Sequence, residues 1–585
     1  MRIFRLLLLL TLALNAFADP PFPEGGVDLT KSSTLPTTWA GQDGRSEKVV
    51  VSGQAFAEAL RVKVAAATPE KPWSASITVA LEAGEVAVGD RLLITYMARR
   101  SDGGEGRVVA KAQLAAPAYT LIGMTEAARF GGDWVRVNQP FIAEIGAAKG
   151  AAEVSLFLGE REQTVEIAAI RVLNYGPNMD LAKLPRQKQS YPGREADAPW
   201  RKQALERISE IRMADQALRV VGADGQPLAN AEVIVELDRH AFGFGSCVTR
   251  GLLTAETEDG RKYREIVART FSRVVFENDL KPDTFPHDAV GISELEKSMD
   301  WLKAQGISIR GHYLMQEAVD GWTRERLGDP AKLENDLLES VRERIAFAGN
   351  KVMEWDVINH PVAWEGAEML AAKGPPCDTF AEKVFREARQ QTSLPMCINE
   401  DQIFRPGPQQ DKTYELLGNL KRDGVRVDGL GNQAHFHSSY LPSPEYLLEV
   451  TDRFAKVVPK QVITEFDVVT LGDEELAADY LRDCLIACFS HPAYDGFLLW
   501  GFWENSHWLP DAALWRKDWS RRPAARMWEE WIGQRWHTRE TLTTDGQGIV
   551  RWRGFKGSYT VTAGGVKSAP CVPGDTASPG TVTLR

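Results

Sequence analysis

The chain has 585 residues and a mass of 64.9 kDa, 44% apolar and 25% charged, which is too long for one domain and supports buried cores rather than disorder. Its 69 basic and 80 acidic side chains leave a net charge of −11 without any local basic patch, so no nucleic-acid partner is expected. Six cysteines are too sparse for a disulfide scaffold and lack CxxC spacing, so neither a metal nor another cofactor is expected.

At the start of the chain, Met1 to Arg5 is basic, Leu6 to Leu14 is apolar and Ala16-Phe17-Ala18 is a small-residue cleavage site. A signal peptide over 1–18 and an exported product, periplasmic or extracellular, are expected. The apolar run is shorter than the ~20 residues of a membrane span, so no membrane anchor is expected either. From 25 to 176, short apolar runs such as Leu60–Val64, Ser76–Ala80, Leu92–Tyr96, Val154–Leu158 and Val165–Val172 alternate with Gly, Asp and Pro, the pattern of a β-sandwich or jelly roll. Residues 177–200 are polar and proline-rich and read as a linker. A helix over Ala204–Arg212 and a β-hairpin over Leu218–Val235, turning at Asp224-Gly225-Gln226-Pro227, follow.

From Ala241 the rhythm changes. Eight strand-like runs (Phe242–Phe244, Val274–Phe276, Ser308–Gly311, Trp355–Ile358, Met396–Ile398, Val427–Leu430, Val462–Thr464 and Gly496–Trp500) alternate with amphipathic helical segments. That count predicts an α/β (β/α)8 TIM barrel over 201–540, with chemistry at the carboxyl ends of its strands. Residues 541–585 read as a small C-terminal β-appendage. Polar clusters follow six of the strands: Glu277-Asn278 with Lys281, Arg310-Gly311-His312, Asp356 with Asn359-His360, Gln433 with His435, Glu465 with Asp467, and Trp500 running on to Trp508.

Those clusters, as Glu277-Asn278-x-x-Lys281-Pro282-Asp283, Arg310-Gly311-His312, Trp355-Asp356-Val357-Ile358-Asn359, Gln433-x-His435, Thr464-Glu465-x-Asp467 and Trp500-Gly501, resemble in order and spacing the motifs of glycoside hydrolase family 10, the retaining endo-β-1,4-xylanases. The N-terminal β-region is similar to the carbohydrate-binding modules that accompany such enzymes. The resemblance implies that Glu465 is the nucleophile, bonded to His435, which Asp467 orients. Asn359 would bind the sugar 2-hydroxyl, while Glu277, Asn278, Lys281, His312 and Gln433 line the subsites and Trp500 and Trp508 form aromatic walls. The substrate partner is then a polysaccharide or oligosaccharide of the xylan type, and a monomer suffices. The seventeen tryptophans fit saccharide stacking as well as plain packing. Tethering a binding module to the barrel would raise local substrate concentration.

Two positions depart from the family pattern. His360 stands where the acid/base glutamate is expected, and Gln316-Glu317 stands in place of Trp-His after the third strand. Three readings follow. His360 takes over the proton transfers, with phosphorolysis as a variant because an imidazole does not repel anions. Alternatively, Glu317 or Glu365 supplies a relocated acid. In the third reading hydrolysis is lost and the barrel is a saccharide-binding protein.

Overall fold

A computed structural model describes all residues except 1–21, 31–35, 105, 126, 187–188, 317–329, 363–376 and 439. The expected signal peptide, Glu317 and Glu365 therefore lie outside the described residues. The chain divides into two compact units, Met1–Gln189 and Ser190–Arg585.

The first unit is the expected sandwich. Two six-stranded antiparallel sheets face each other. One is ordered Val135–Ile142, Arg91–Arg100, Gln163–Asn174, Glu58–Val64, Arg45–Val50, and the other is built around Ser76–Leu81, Ala152–Phe157 and Gly106–Leu114. Alternation along the strands turns Val62, Ile77, Ile94, Val108, Val154, Leu156, Val165 and Ile167 into the shared core. The tryptophans of this unit stay out of that core. Trp39 is 63% and Trp73 55% exposed, and Trp134 packs edge-on against Phe56 beneath the Arg99 guanidinium.

In the second unit the eight expected strands form a closed parallel barrel: β1 Gly243–Val248, β2 Arg273–Phe276, β3 Ser308–Gln316, β4 Glu354–Asn359, β5 Met396–Glu400, β6 Gly429–Asn432, β7 Lys460–Val469 and β8 Tyr494–Leu499. Each pairs with the next, and Gly243↔Gly496 closes β8 onto β1. Helices follow the strands, several of them capped as their sequences predict: Asp288, Ser443 and Asp473 accept backbone N–H bonds from the first turns of the helices they precede. Apolar stripes of those helices meet the outward strand residues in one core, where Trp355, Trp515 and Trp528 are fully buried. Much of the tryptophan count is thus packing. Among the described residues, no helix is long and apolar enough to cross a membrane.

Three local expectations need correction. The turn at Asp224-Gly225 forms, with Asp224 accepting from the Gln226 N–H at 3.0 Å, but the hairpin it closes stops at one bridge, Val221 to Pro227, with the Leu228 N–H bonded to the Val220 carbonyl at 2.9 Å. The flanking strands, Met213–Val221 and Glu232–His240, go to different sheets and pair there with Ile549–Phe555 and Gly580–Thr583, and with Arg539–Thr543 and Gly557–Ala563. Each strand has an apolar face to bury (Leu218 and Val220; Val233, Val235 and Leu237), and strands from the far end of the chain supply the partners. The C-terminal strands are therefore one half of a module whose other half precedes the barrel. Finally, much of the stretch read as a linker is anchored. Leu184 is buried with Leu93 and Leu173 in the first unit. In the second, Tyr191 donates to Asp483 at 2.8 Å, Arg201 forks onto the same carboxylate at 2.6 and 3.0 Å, and the helix begins at Pro199.

The Asp483 carboxylate is fully buried and shared by Tyr191, Arg201 and Arg482. Removing one partner of a buried ion pair leaves uncompensated charge, so Asp483→Ala should cost about 3 kcal/mol. Urea denaturation checks this, and a loss below about 1 kcal/mol would place the pair among solvent-screened surface contacts.

Candidate active site at the carboxyl ends of the strands

Glu465 lies buried midway along β7. Relative to β8, the strand carries an irregularity between Ile463 and Phe466, which pair with Phe497 and Leu499. Two residues of β7 there oppose one of β8, and such a bulge re-aims the side chain it carries. Asn399, from β5, donates its Nδ2 hydrogen to Glu465 Oε1 at 2.6 Å. His435 Nε2 stands 3.4 Å from Oε2, and His312 Nε2 3.9 Å from Oε1. Burial alone would favour the neutral acid. The His435 bond and the charges of His312, His435 and Lys281 overcome it and bring the Glu465 carboxyl down to about 2.

These donors are positioned in turn. The short strand His435–His437 pairs with the far end of β7, setting His435 opposite Asp467. The His435 Nδ1 to Asp467 Oδ1 distance is 3.0 Å. Burial opposes a charge on His435, but Asp467 first and Glu465 next hold its pKa well above the ordinary range. Asp467 also accepts the Trp508 indole N–H at 2.8 Å. Trp508 is 54% exposed, so one face of its ring stays open. His312 Nδ1 lies 3.0 Å from Asp356, whose carboxylate is forked by the buried Arg310. Arg310 also meets Glu354, so the barrel interior below the site is a paired, compensated set of charges.

The remaining expected residues sit around this carboxylate. Asn359 is buried, accepts from Asn399 at 2.8 Å and Gln433 at 3.1 Å, and donates to Gln316 at 2.9 Å. Lys281 donates to the exposed Asn278 at 3.0 Å, with its ammonium 5.7 Å from the Trp500 ring. Glu277 is raised by burial, with Asp279 and Glu465 acting in the same sense and Lys281 against. Trp500 packs with Cys247, Val275, Val462 and Leu498 and touches His312 edge-on. It is a buried floor more than an open wall.

His360 follows β4. Its Nε2 is 3.2 Å from Gln433 Nε2, and its Nδ1 is 3.8 Å from Glu400 Oε1. Burial raises the Glu400 carboxyl above its ordinary value, while His360 and the Val362 and Asp401 N–H groups pull it back. Two residues of this constellation, Asn399 and Glu400, escape sequence reasoning. The polar run Asn399-Glu400-Asp401 at the end of the fifth strand is a usable signal, of the same kind as the six clusters that were read. Gly431 leaves room for Asn399: a Cβ there would stand 2.2 Å from Asn399 Oδ1 and 2.8 Å from the Thr464 methyl.

A model of glycosyl hydrolase family 10 matches residues 234–530, just over half of the chain. The chain belongs to that family. Among curated relatives of this family 10 chain, the anti-sigma-I factor RsgI6 of Acetivibrio thermocellus is 31% identical over 371 residues, 62% of this chain and 46% of that protein. Endo-1,4-beta-xylanase 2 of Arabidopsis thaliana is 26% identical over 363 residues, 60% of this chain and 32% of that protein. The chain thus spans less than half the length of either relative. Native xylanase 10B from Thermotoga maritima aligns over 50% of this chain and 96% of its own, at 24% identity and a TM-score of 0.46.

Charge-assisted bonds of the Asn399 kind contribute about 1.5–3 kcal/mol, or about 1–2 pKa units. Asn399→Ala removes a donor to the charged form, so the Glu465 carboxyl should titrate higher by about that amount. Carbon-13 NMR of the labelled carboxyl reads the shift directly, and an unmoved titration would mean that the bond does not bear on Glu465.

Proposed function

We propose that this family 10 barrel is a retaining glycoside hydrolase acting on β-1,4-linked polysaccharide of the xylan type, with Glu465 as nucleophile and His360 as proton donor and acceptor. The observation that carries the reading is the buried Glu465 carboxylate, kept ionised by His435, His312 and Lys281 and hydrogen-bonded by Asn399. In the first step a Glu465 oxygen bonds to the anomeric carbon as the bond to the leaving sugar breaks, and the imidazolium proton of His360 passes to the departing oxygen. In the second, neutral His360 takes a proton from water, whose oxygen displaces Glu465 and restores both groups. Imidazole suits both transfers because its ring nitrogen can both release and take up a proton.

Asn359, Gln433, Glu277, Lys281 and His312 line the sugar subsites, and the open face of Trp508 offers a stacking wall. A barrel that only bound sugar would have no use for the His435–Asp467 pair behind Glu465. The N-terminal sandwich reads as a saccharide-binding module. Trp39, opposite Ser76 in register, and Trp73, in the turn Pro72–Ser74 just before it, give that edge two exposed aromatic faces. Export through residues 1–18 agrees with a polymeric substrate that does not enter cells.

The test is product analysis from xylan and β-linked oligosaccharides, with and without phosphate, beside a Glu465→Gln control. Oligosaccharides should appear in a phosphate-independent way and vanish in the variant, and a 2-deoxy-2-fluoro glycoside should label Glu465. Sugar 1-phosphates would instead make the protein a phosphorylase. Binding without cleavage or labelling would make it a saccharide-binding protein.

A further inference from the structure

We infer that Glu400 is the positioning residue of a Glu400–His360 pair, and that the pair, rather than an imidazole alone, stands in for the acid/base carboxyl of the family. The inference rests on the role of His360 proposed above.

The proton accounting starts at Glu465. An ionised carboxylate only accepts, so the Asn399 atom 2.6 Å from it is the amide nitrogen. The second hydrogen of that nitrogen points to the Asn359 oxygen at 2.8 Å, while the Thr464 hydroxyl donates to the Asn399 oxygen at 2.7 Å. With the Asn359 oxygen committed as an acceptor, the Gln433 atom 3.1 Å away is an amide nitrogen too. Its other hydrogen points to His360 Nε2 at 3.2 Å. In the resting site Nε2 is therefore an acceptor, and the ring proton of the neutral imidazole sits on Nδ1. That atom faces Glu400 at 3.8 Å, and such contacts are long in empty sites and tighten around substrate.

Glu400 is itself fixed. It is fully buried, with Oε2 accepting the Val362 N–H at 2.8 Å and Oε1 the Asp401 N–H at 2.9 Å. His360 adopts φ 51°, the left-handed region rare outside glycine, and its own N–H bonds to the Asn399 carbonyl at 2.9 Å. One carboxylate thus faces the ring and ties down the turn that carries it. When Nε2 takes up a proton, the Gln433 donor is displaced, the ring becomes positive, and Glu400 offsets the charge. Glu400 faces the ring as an anion from β5, and Gln433 as a neutral amide from beyond β6. Glu465 stands at the other end of the amide chain. A carboxylate that fixes a tautomer and stabilises an imidazolium is the arrangement behind catalytic histidines on unrelated folds.

The test is the pH dependence of kcat/KM on xylotetraose, whose leaving group needs an acid, and on an aryl xylobioside with a highly activated phenol, which does not. Wild type should lose activity on xylotetraose as rising pH strips the acid/base group of its proton. Glu400→Gln keeps an acceptor for the backbone but removes the charge. It should move that alkaline limb to lower pH by about one unit while glycosylation by the activated substrate persists. Glu400→Asp should restore part of the shift. If His360→Ala abolishes the limb and Glu400→Gln leaves it in place, the carboxylate is only a loop anchor and the inference fails. If His360→Ala leaves limb and rate untouched, His360 is not the acid/base and both readings fail. Should Glu400→Gln not fold, nitrogen-15 NMR of the wild-type histidines decides: a proton on Nδ1 of neutral His360 supports the pair, and a proton on Nε2 overturns it.

Discussion

A carboxylate stripped of water needs donors, and around Glu465 that need organises the barrel end. Asn399 and His435 answer it directly, and His312 adds its charge from 3.9 Å. Each then requires partners of its own, because an unpaired polar group in a low-dielectric interior costs more than the bond it would make is worth. Asp467 stands behind His435, Asp356 behind His312, and Thr464 and Asn359 beside Asn399. Closure of the sheet makes this possible. Side chains from β3, β4, β5 and β7, with His435 and Gln433 beyond β6, converge because every strand has two parallel neighbours and one open end.

On the proposed reading, the exchange of a carboxyl for His360 acts on the same network from its other end. A second carboxylate near Glu465 would repel it, and the family's chemistry uses that repulsion to hold a proton on the acid. An imidazole removes the repulsion, and its protonation state must then be set by something else. Gln433 favours the neutral ring and Glu400 the charged one, so two opposing contacts replace one like-charge interaction. Glu465 is meanwhile kept ionised by His435, His312 and Lys281, with Asn399 as a further hydrogen-bond donor and no contribution from position 360.

The eight strands were legible in the sequence because apolar runs, breakers and helical periodicity are local signals, and all eight expected runs lie within or overlap barrel strands. The polar residues after six of them were legible for the same reason. Asn399 and Glu400 were not singled out. Their importance lies in contacts with Glu465, 66 positions away, and with His360, 40 positions away, and nothing within either segment announces those distances. The hairpin that stops at one bridge teaches the same thing in reverse. Asp224-Gly225 carries a correct turn signal, yet a turn does not specify which strands it joins, and strands from residues 539–583 offered each flank a longer apolar partner.

The sequence by itself determined the class of the molecule: a β-sandwich, then an alternating β/α chain of the right strand count, with Glu465, His435, Asp467 and Asn359 in motifs whose order identifies the family. It also placed a histidine, His360, directly after Asn359, where the resemblance to the family leads one to expect a glutamate, since that is a matter of residue identity. Tertiary structure alone decided which groups meet: that Asn399 bridges Glu465 and Asn359, that Glu400 backs His360, that Trp500 is floor while Trp508 is open, and that the chain's end completes the module preceding its barrel. The physical reason is that periodicity and turn chemistry act over a few residues, whereas the satisfaction of buried charge is settled only when closure brings distant strand ends together.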